Sequence, residues 1–370
     1  MSTFQQNQKK DKFLQVEKEI LKDTNARGDL QKLAKWGNLE KIVLHLASLR
    51  NSSSHEKCLL LTGFPCIKNS KADKNEYVDN EMKETKNIQE TDGIAGVVAI
   101  ARALGPEKCI IGIEGEDNIN CENFEDSASY AVKCVLENLG EETSTFSNKQ
   151  TSCNKKFQIL SLPTVRKLQA QKQAIFNKTE VIDQLGEYSI LAIEKAGYSM
   201  SNNTPEKSTS SHVTECCRAY TMKARDITLD CAPADLMKTL WDNATLRIAI
   251  GDGGNELGLG LVHDLTCQHI PLGNQIACMP EFSADHLLIS GVSNWGGYAI
   301  GLGILSMEND KEVCLDSDII SEKSELVVAK TLKELKVCDG VTGEYEHCTV
   351  DGIDLDRHMM LLRKLRTILI

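Results

Sequence analysis

Apolar residues recur at helical spacing early in the chain. Phe13, Val16, Ile20 and Leu21 form one stripe, and Leu30, Leu33, Trp36, Leu39, Ile42 and Val43 form a second. These stripes predict an N-terminal helical appendage over residues 1–50. From residue 57 the pattern changes. Short aliphatic runs at Lys57–Leu61, Lys108–Glu114, Tyr188–Glu194 and Ile248–Ile250 predict buried strands, with a further short candidate at Ile276–Met279, and Asp285–Tyr298 combines an aliphatic run with a polar elbow. Helical patterns lie between and after them, at Ile94–Leu104, Asp126–Leu139, Thr179–Leu185, Pro233–Trp241, Leu261–Cys267, Ala299–Met307, 321–335 and Asp354–Leu369. Residues 67–90, 141–156 and 199–214 are poor in apolar side chains and read as exposed loops.

At least four strands separated by helices predict an α/β domain over residues 57–370. Its expected core is an open, mostly parallel sheet with helices on both faces, a Rossmann-like three-layer arrangement. Sheets of this kind hold ligands outside the carboxyl ends of their strands. The residues that follow the strands are therefore the ones to search for chemistry.

The richest such stretch is Thr245–Gly260, where a β-branched run meets the cluster GDGGNELGLG. Gly251, Gly253 and Gly254 let a ligand approach the main chain and leave N–H groups to point at an anion. Asp252, Asn255 and Glu256 add polar side chains beside them, so the loop could act on an amine and a carboxylate together. The competing reading is a tight turn whose acids cap the next helix. Thr62 and Gly63 end the first strand, and Thr91, Asp92 and Gly93 open the helix at Ile94; this helix terminus could bind a carboxylate. Asn294 and Trp295 are directional donors at a polar elbow. Asp252 and Glu256, with Glu114 and Glu116, could instead hold Mg²⁺ through oxygen ligands. His263 and His286 lack partners at metal-ligand spacing and read as structural.

Composition narrows the function classes. A 41% apolar content over 370 residues supports a real core, and with only 5% aromatics that core is aliphatic. A formal charge of −11 argues against a nucleic-acid partner. The glycine cluster matches neither the dinucleotide fingerprint nor a Walker loop, which argues against a nucleotide enzyme. The 14 cysteines are scattered apart from Cys216-Cys217, which fits a reducing compartment. No apolar run reaches the ~18 residues of a membrane span, and the N-terminus has no signal-peptide core. An intracellular soluble protein is expected, cytoplasmic by default.

The segments TGFP (62–65), ETDGIAG (90–96), GDGGNELGLG (251–260), ADHLLISGVSNWGGYA (284–299) and DGVTG (339–343) resemble, in order and spacing, the D-glutamate cyclase C-terminal domain family. The resemblance runs from about Cys58 to the end, without a counterpart of the hydro-lyase-like domain that precedes it in such proteins. Tyr220–Asp226 departs from the family pattern at Thr221, Lys223 and Ala224, and keeps Asp226. The resemblance implies a lyase of D-amino acid metabolism, a hydro-lyase closing D-glutamate to 5-oxo-D-proline with loss of water. It also implies a mitochondrial matrix address and no required cofactor. On this reading Asp252 and Glu256 are the acid–base pair, and the N–H groups of Gly253 and Gly254 stabilise the oxyanion. Thr62, Thr91 and Asn294 would orient the α-carboxylate. The expected partner is a small anionic amino acid, with no nucleic acid and no membrane; a homodimer is compatible. The alternative is a non-catalytic domain that binds an amino acid, nucleotide or phosphometabolite and needs a partner domain for activity.

Overall fold

The architecture is that of a computed structural model describing residues 3–22, 27–66, 88–114, 128–146, 155–170, 178–200, 217–308 and 318–370. Seven strands make one parallel sheet: β1 (Lys57–Gly63), β2 (Cys109–Glu114), β3 (Thr143–Thr145), β4 (Phe157–Leu162), β5 (Tyr188–Lys195), β6 (Arg247–Gly251) and β7 (His286–Ile289). Their order across the sheet is β7-β6-β5-β1-β2-β4-β3. The register is fixed by pairs such as Leu60 with Ile111 and with Leu191, and Ala249 with Ala192 and with Leu287. Aliphatic side chains alternate between the two faces. Leu60, Ile111, Leu191, Ile193, Ile248 and Ile250 enter one core, while Leu59, Leu61, Ile110, Ile190 and Ala249 enter the other. Burial on both faces is why the central strands read as continuous apolar runs.

The first core is covered by α1 (Thr3–Ile20), α2 (Asn38–Asn51), α3 (Ile94–Leu104), α4 (Ala128–Asn138), α6 (Ser293–Ser306), α7 (Glu322–Glu334) and α8 (Leu355–Leu369). The second is covered by α5 (Ala234–Asp242), helical turns such as Leu30–Leu33, and the large side chains of Tyr198, Trp241 and Phe282. Helices α3 and α6 cross so closely that a Cβ on Gly297 would overlap the Gly96 backbone. Phe13, Val16 and Ile20 of α1 and Leu39, Ile42 and Val43 of α2 belong to the same core as the sheet. The N-terminal helices are thus continuous in packing with the α/β body.

Several sequence expectations change. Ile276–Met279 is not a strand: Gly273–Ile276 is a helical turn, and the N–H groups of Cys278 and Met279 bond to the carbonyls of Gly254 and Tyr198 rather than to a ladder. The expected loop 141–156 contains β3, and β4 follows it. Helix α6 starts at Ser293, not Ala299, and Trp36 faces solvent instead of joining its stripe. Residues 67–87 and 201–214 of the other expected loops lie outside the described residues.

The topology selects a place for function. The chain starts at β1, moves outward to β2, β3 and β4, then returns to the far side of β1 as β5 and continues to β6 and β7. The order therefore reverses between β1 and β5, and a crevice opens at the carboxyl ends of such a pair. The pairing of β1 with β5 also shifts register between Leu61 and Gly63 before resuming at Gly63 with Lys195.

Candidate active site

A cleft of about 240 Å³ lies at this switch point. Phe64, Pro65 and Cys66 after β1, Glu194 near the end of β5, and Asp252 and Asn255 after β6 line it. Glu90, the loop Thr221–Arg225, the turn Gly340–Gly343, Asp351 and Arg27 complete it. Ligand pockets for drug-sized molecules run to ~300–1,000 Å³, so this volume suits a ligand of amino-acid size.

Behind the cleft three carboxylates are held by the loops that the sequence marks out. Glu256 Oε1 accepts the N–H groups of Asp252 (2.9 Å) and Gly253 (2.6 Å), and Oε2 accepts that of Gly254 (2.7 Å). Asp92 accepts the N–H groups of Gly93 (2.9 Å), Ser293 (2.9 Å) and Asn294 (2.8 Å). Asp339, from the DGVTG turn, accepts those of Val341 (2.8 Å), Thr342 (2.9 Å) and Gly352 (2.7 Å). Main-chain amides thus close around three of the protein's own carboxyl groups. Asp92 also accepts the first two N–H groups of α6, which explains the early start of that helix.

Four further carboxyl groups, Glu90, Glu194, Asp252 and Asp351, face the cleft. Arg27, with a side chain only 12% exposed, forms ion pairs with both Asp252 and Asp351. Ser293 donates to Glu194 Oε2 at 2.6 Å. Burial pushes the Glu90 carboxyl well above its usual range, and the charge of Asp92 pushes it further; Glu90 nevertheless keeps an edge on the cleft. Burial raises Glu194 in the same way, reinforced by Glu256 and Glu90. Asp252 and Asp351 are raised by burial and pulled back by Arg27. Glu194 (φ 42°) and Asp351 (φ 60°) both adopt the left-handed conformation that side chains rarely take. Such strain gathers at functional sites and is held there by the surrounding structure. On the rim, Lys223 and Arg225 are exposed and line the mouth.

The sequence-predicted residues divide accordingly. Gly251 ends β6, and Asp252 and Asn255 reach the cleft, Asn255 Nδ2 donating to the Tyr220 carbonyl at 2.8 Å. The amides of Gly253 and Gly254 do not point at a ligand, because Glu256 occupies them. Glu256 and Asp92 are buried behind the cleft. Gly63 has φ 112° and pairs with Lys195 just after the register shift between β1 and β5. Thr62 is fully buried, its Oγ1 making no hydrogen bond among the described residues; a Cβ on Gly93 would overlap it. Thr91 Oγ1 turns away to the Thr349 carbonyl at 3.3 Å. Asn294 joins α6 to α3 by accepting the Gly96 N–H at 2.7 Å, and Trp295 Nε1 donates to His358 Nδ1 at 2.8 Å. Thr62, Thr91, Asn294 and Trp295 thus build the walls of the fold rather than the surface of the cleft.

Of the predicted metal set, Asp252 and Glu256 stay close enough to share one ion. Glu114 forms a fully buried ion pair with Lys195, and Glu116 lies outside the described residues. Among the described residues, the carboxylates close enough to share an ion are Asp92, Asp252 and Asp351, and Glu194, Asp252 and Glu256. Sequence reasoning missed Arg27, Glu90, Glu194 and Asp351. Glu194 carried a signal, an acid closing an aliphatic strand; Arg27 and Asp351 carried none, lying 324 positions apart.

This chemistry predicts an unusual pH dependence. Burial raises Asp92 and Glu325 to about 7, whereas the same groups in an unfolded chain release their protons near ~4. Between about pH 4 and pH 7 the folded chain therefore holds more protons, and stability falls as pH rises through that window. The melting temperature should be higher at about pH 5.5 than at about pH 8; the opposite order would show that these carboxyls are ionised in the fold.

A family model described as D-glutamate cyclase-like, C-terminal, matches residues 16–366. Over 55 residues the chain is 51% identical to the mitochondrial D-glutamate cyclase of Homo sapiens, a stretch amounting to 15% of this chain and 9% of that protein. Among the described residues no helix is long and apolar enough to cross a membrane. Because the family model extends from residue 16 to residue 366 of 370, the chain belongs to the D-glutamate cyclase-like C-terminal family.

Proposed function

We propose that the chain is a lyase that closes D-glutamate to 5-oxo-D-proline in the cleft between β1 and β5. The observation that carries this reading is the polarity of the cleft: a floor of buried carboxyl groups and a rim of cations. A zwitterionic amino acid fits that division, its ammonium against Glu90 and Asp351 and one carboxylate toward Lys223 and Arg225. The rim also draws an anionic substrate toward a chain of net negative charge.

The reaction joins the α-nitrogen to the γ-carboxyl carbon and releases one γ-oxygen as water. Two protons leave nitrogen and both depart with that oxygen, so no redox partner is needed. Glu90 is our candidate to carry them, because a carboxyl raised by burial exchanges protons with an ammonium group at neutral pH far better than an ordinary carboxylate. Holding the substrate folded supplies most of the remaining advantage, since the attack is intramolecular. A mitochondrial setting, taken from the human relative's name, is part of the same proposal.

The test is incubation with D-glutamate and, separately, L-glutamate, following loss of primary amine and appearance of the lactam by NMR. The D-isomer should be consumed, and Glu90→Gln should lower kcat by about 100-fold or more. Lys223→Ala should instead raise KM with little change in kcat. Thermal stabilisation by D-glutamate without turnover would favour a binding domain; neither effect would sink the reading.

A further inference from the structure

Six carboxyl groups, Glu90, Asp92, Glu194, Asp252, Glu256 and Asp351, gather at the inner end of the cleft. Among the described residues Arg27 is the cation paired with them, and it is committed to Asp252 and Asp351. One carboxylate oxygen from each of Glu194, Asp252 and Glu256 lies within 4.8 Å of the others. Oxygens bound to one hard divalent cation at ~2.0–2.6 Å stand at comparable separations. A second observation points the same way. Asp252 is 1% exposed, and its Oδ2 makes no hydrogen bond among the described residues, although Oδ1 meets Arg27. A buried carboxylate oxygen left without a donor is costly, and a bound cation removes that cost.

We propose that Glu194, Asp252 and Glu256 hold one hard divalent cation of the Mg²⁺ or Mn²⁺ class at the inner end of the cleft. The other close triad, Asp92, Asp252 and Asp351, is less suited, because the Arg27 guanidinium already sits on two of its members. Main-chain amides fix Glu256 and the Ser293 hydroxyl fixes Glu194, so two of the three ligands are oriented in advance. Binding of the ion stands independently of the cyclase reading. Its chemical role rests on that reading: the ion would polarise the γ-carboxylate and stabilise the oxygen that leaves as water, while Glu90 moves the protons.

The test uses the full chain stripped with EDTA and titrated with Mn²⁺, free Mn²⁺ being read by electron paramagnetic resonance and Mg²⁺ and Ca²⁺ added as competitors. One saturable ion per chain is expected, with a rise in melting temperature. Glu194→Gln should weaken binding at least about tenfold, while Asp351→Asn should leave it within about threefold. No saturable binding up to millimolar metal, or a larger loss in Asp351→Asn than in Glu194→Gln, overturns the assignment. If Glu194→Gln fails to fold, the wild-type stoichiometry and the Asp351→Asn titration still decide. Binding without D-glutamate turnover keeps the ion site and removes the proposed reaction, whereas turnover by the EDTA-stripped chain without binding removes the ion site and keeps the reaction.

Discussion

Replacing Arg27 by methionine should destabilise the chain by about 3–5 kcal/mol and remove D-glutamate turnover. The side chain is nearly buried and pairs with two carboxyl groups, Asp252 being pushed up by the charge of Asp351. Methionine fills a similar volume without charge, leaving Asp252 and Asp351 to neutralise themselves by taking up protons. Their geometry would then no longer be fixed by a fork of two parallel contacts. Arg27→Lys should recover only part of the loss, because an ammonium group cannot span both carboxylates as a guanidinium does. Urea unfolding and an NMR turnover assay on the three proteins check this. A variant within about 1 kcal/mol of wild type would mean that Arg27 does not organise the cleft.

Glu256→Ala should cost a similar amount for a different reason. The substitution leaves the N–H groups of Asp252, Gly253 and Gly254 buried without an acceptor. At ~1–3 kcal/mol for each of the three orphaned donors, a loss of about 3–9 kcal/mol follows, comparable with the whole stability of many domains. Glu256→Gln should be milder, since an amide oxygen still accepts two of the three bonds. Chemical unfolding of both variants, with amide exchange at Gly253 and Gly254, reads the effect. Unchanged protection of these amides in the alanine variant would show that Glu256 is not their partner.

Much of the fold was legible because the central strands are buried on both sides. β1, β2, β5 and β6 each appear as an unbroken aliphatic run, and the helix over Ile94–Leu104 needed no revision. The outer strands were not legible: Thr143–Thr145 is polar, and β4 alternates between buried and half-exposed positions, so neither stands out from a loop. The glycine cluster was correctly placed at the carboxyl edge of the sheet. What composition could not reveal was which anion its amides bind. Gly253 and Gly254 would serve a ligand or Glu256 equally well, and only the fold brings Glu256 back over them. The same holds for Asp92 and Asp339, whose carboxyl oxygens accept main-chain amides of the turns beside them. The acids that reach the cleft come from strand ends and turns far apart in the chain, joined by an arginine from the N-terminal segment. Linear spacing carries no trace of that meeting.

The most direct test is a crystal structure of the chain with D-glutamate bound, or with 5-oxo-D-proline if turnover is fast. The account predicts density between the ends of β1 and β5, with the α-nitrogen within hydrogen-bonding distance of Glu90 and a substrate carboxylate toward Lys223 and Arg225. A ligand held instead by the amides of Gly253 and Gly254, with Glu256 displaced from them, would contradict it.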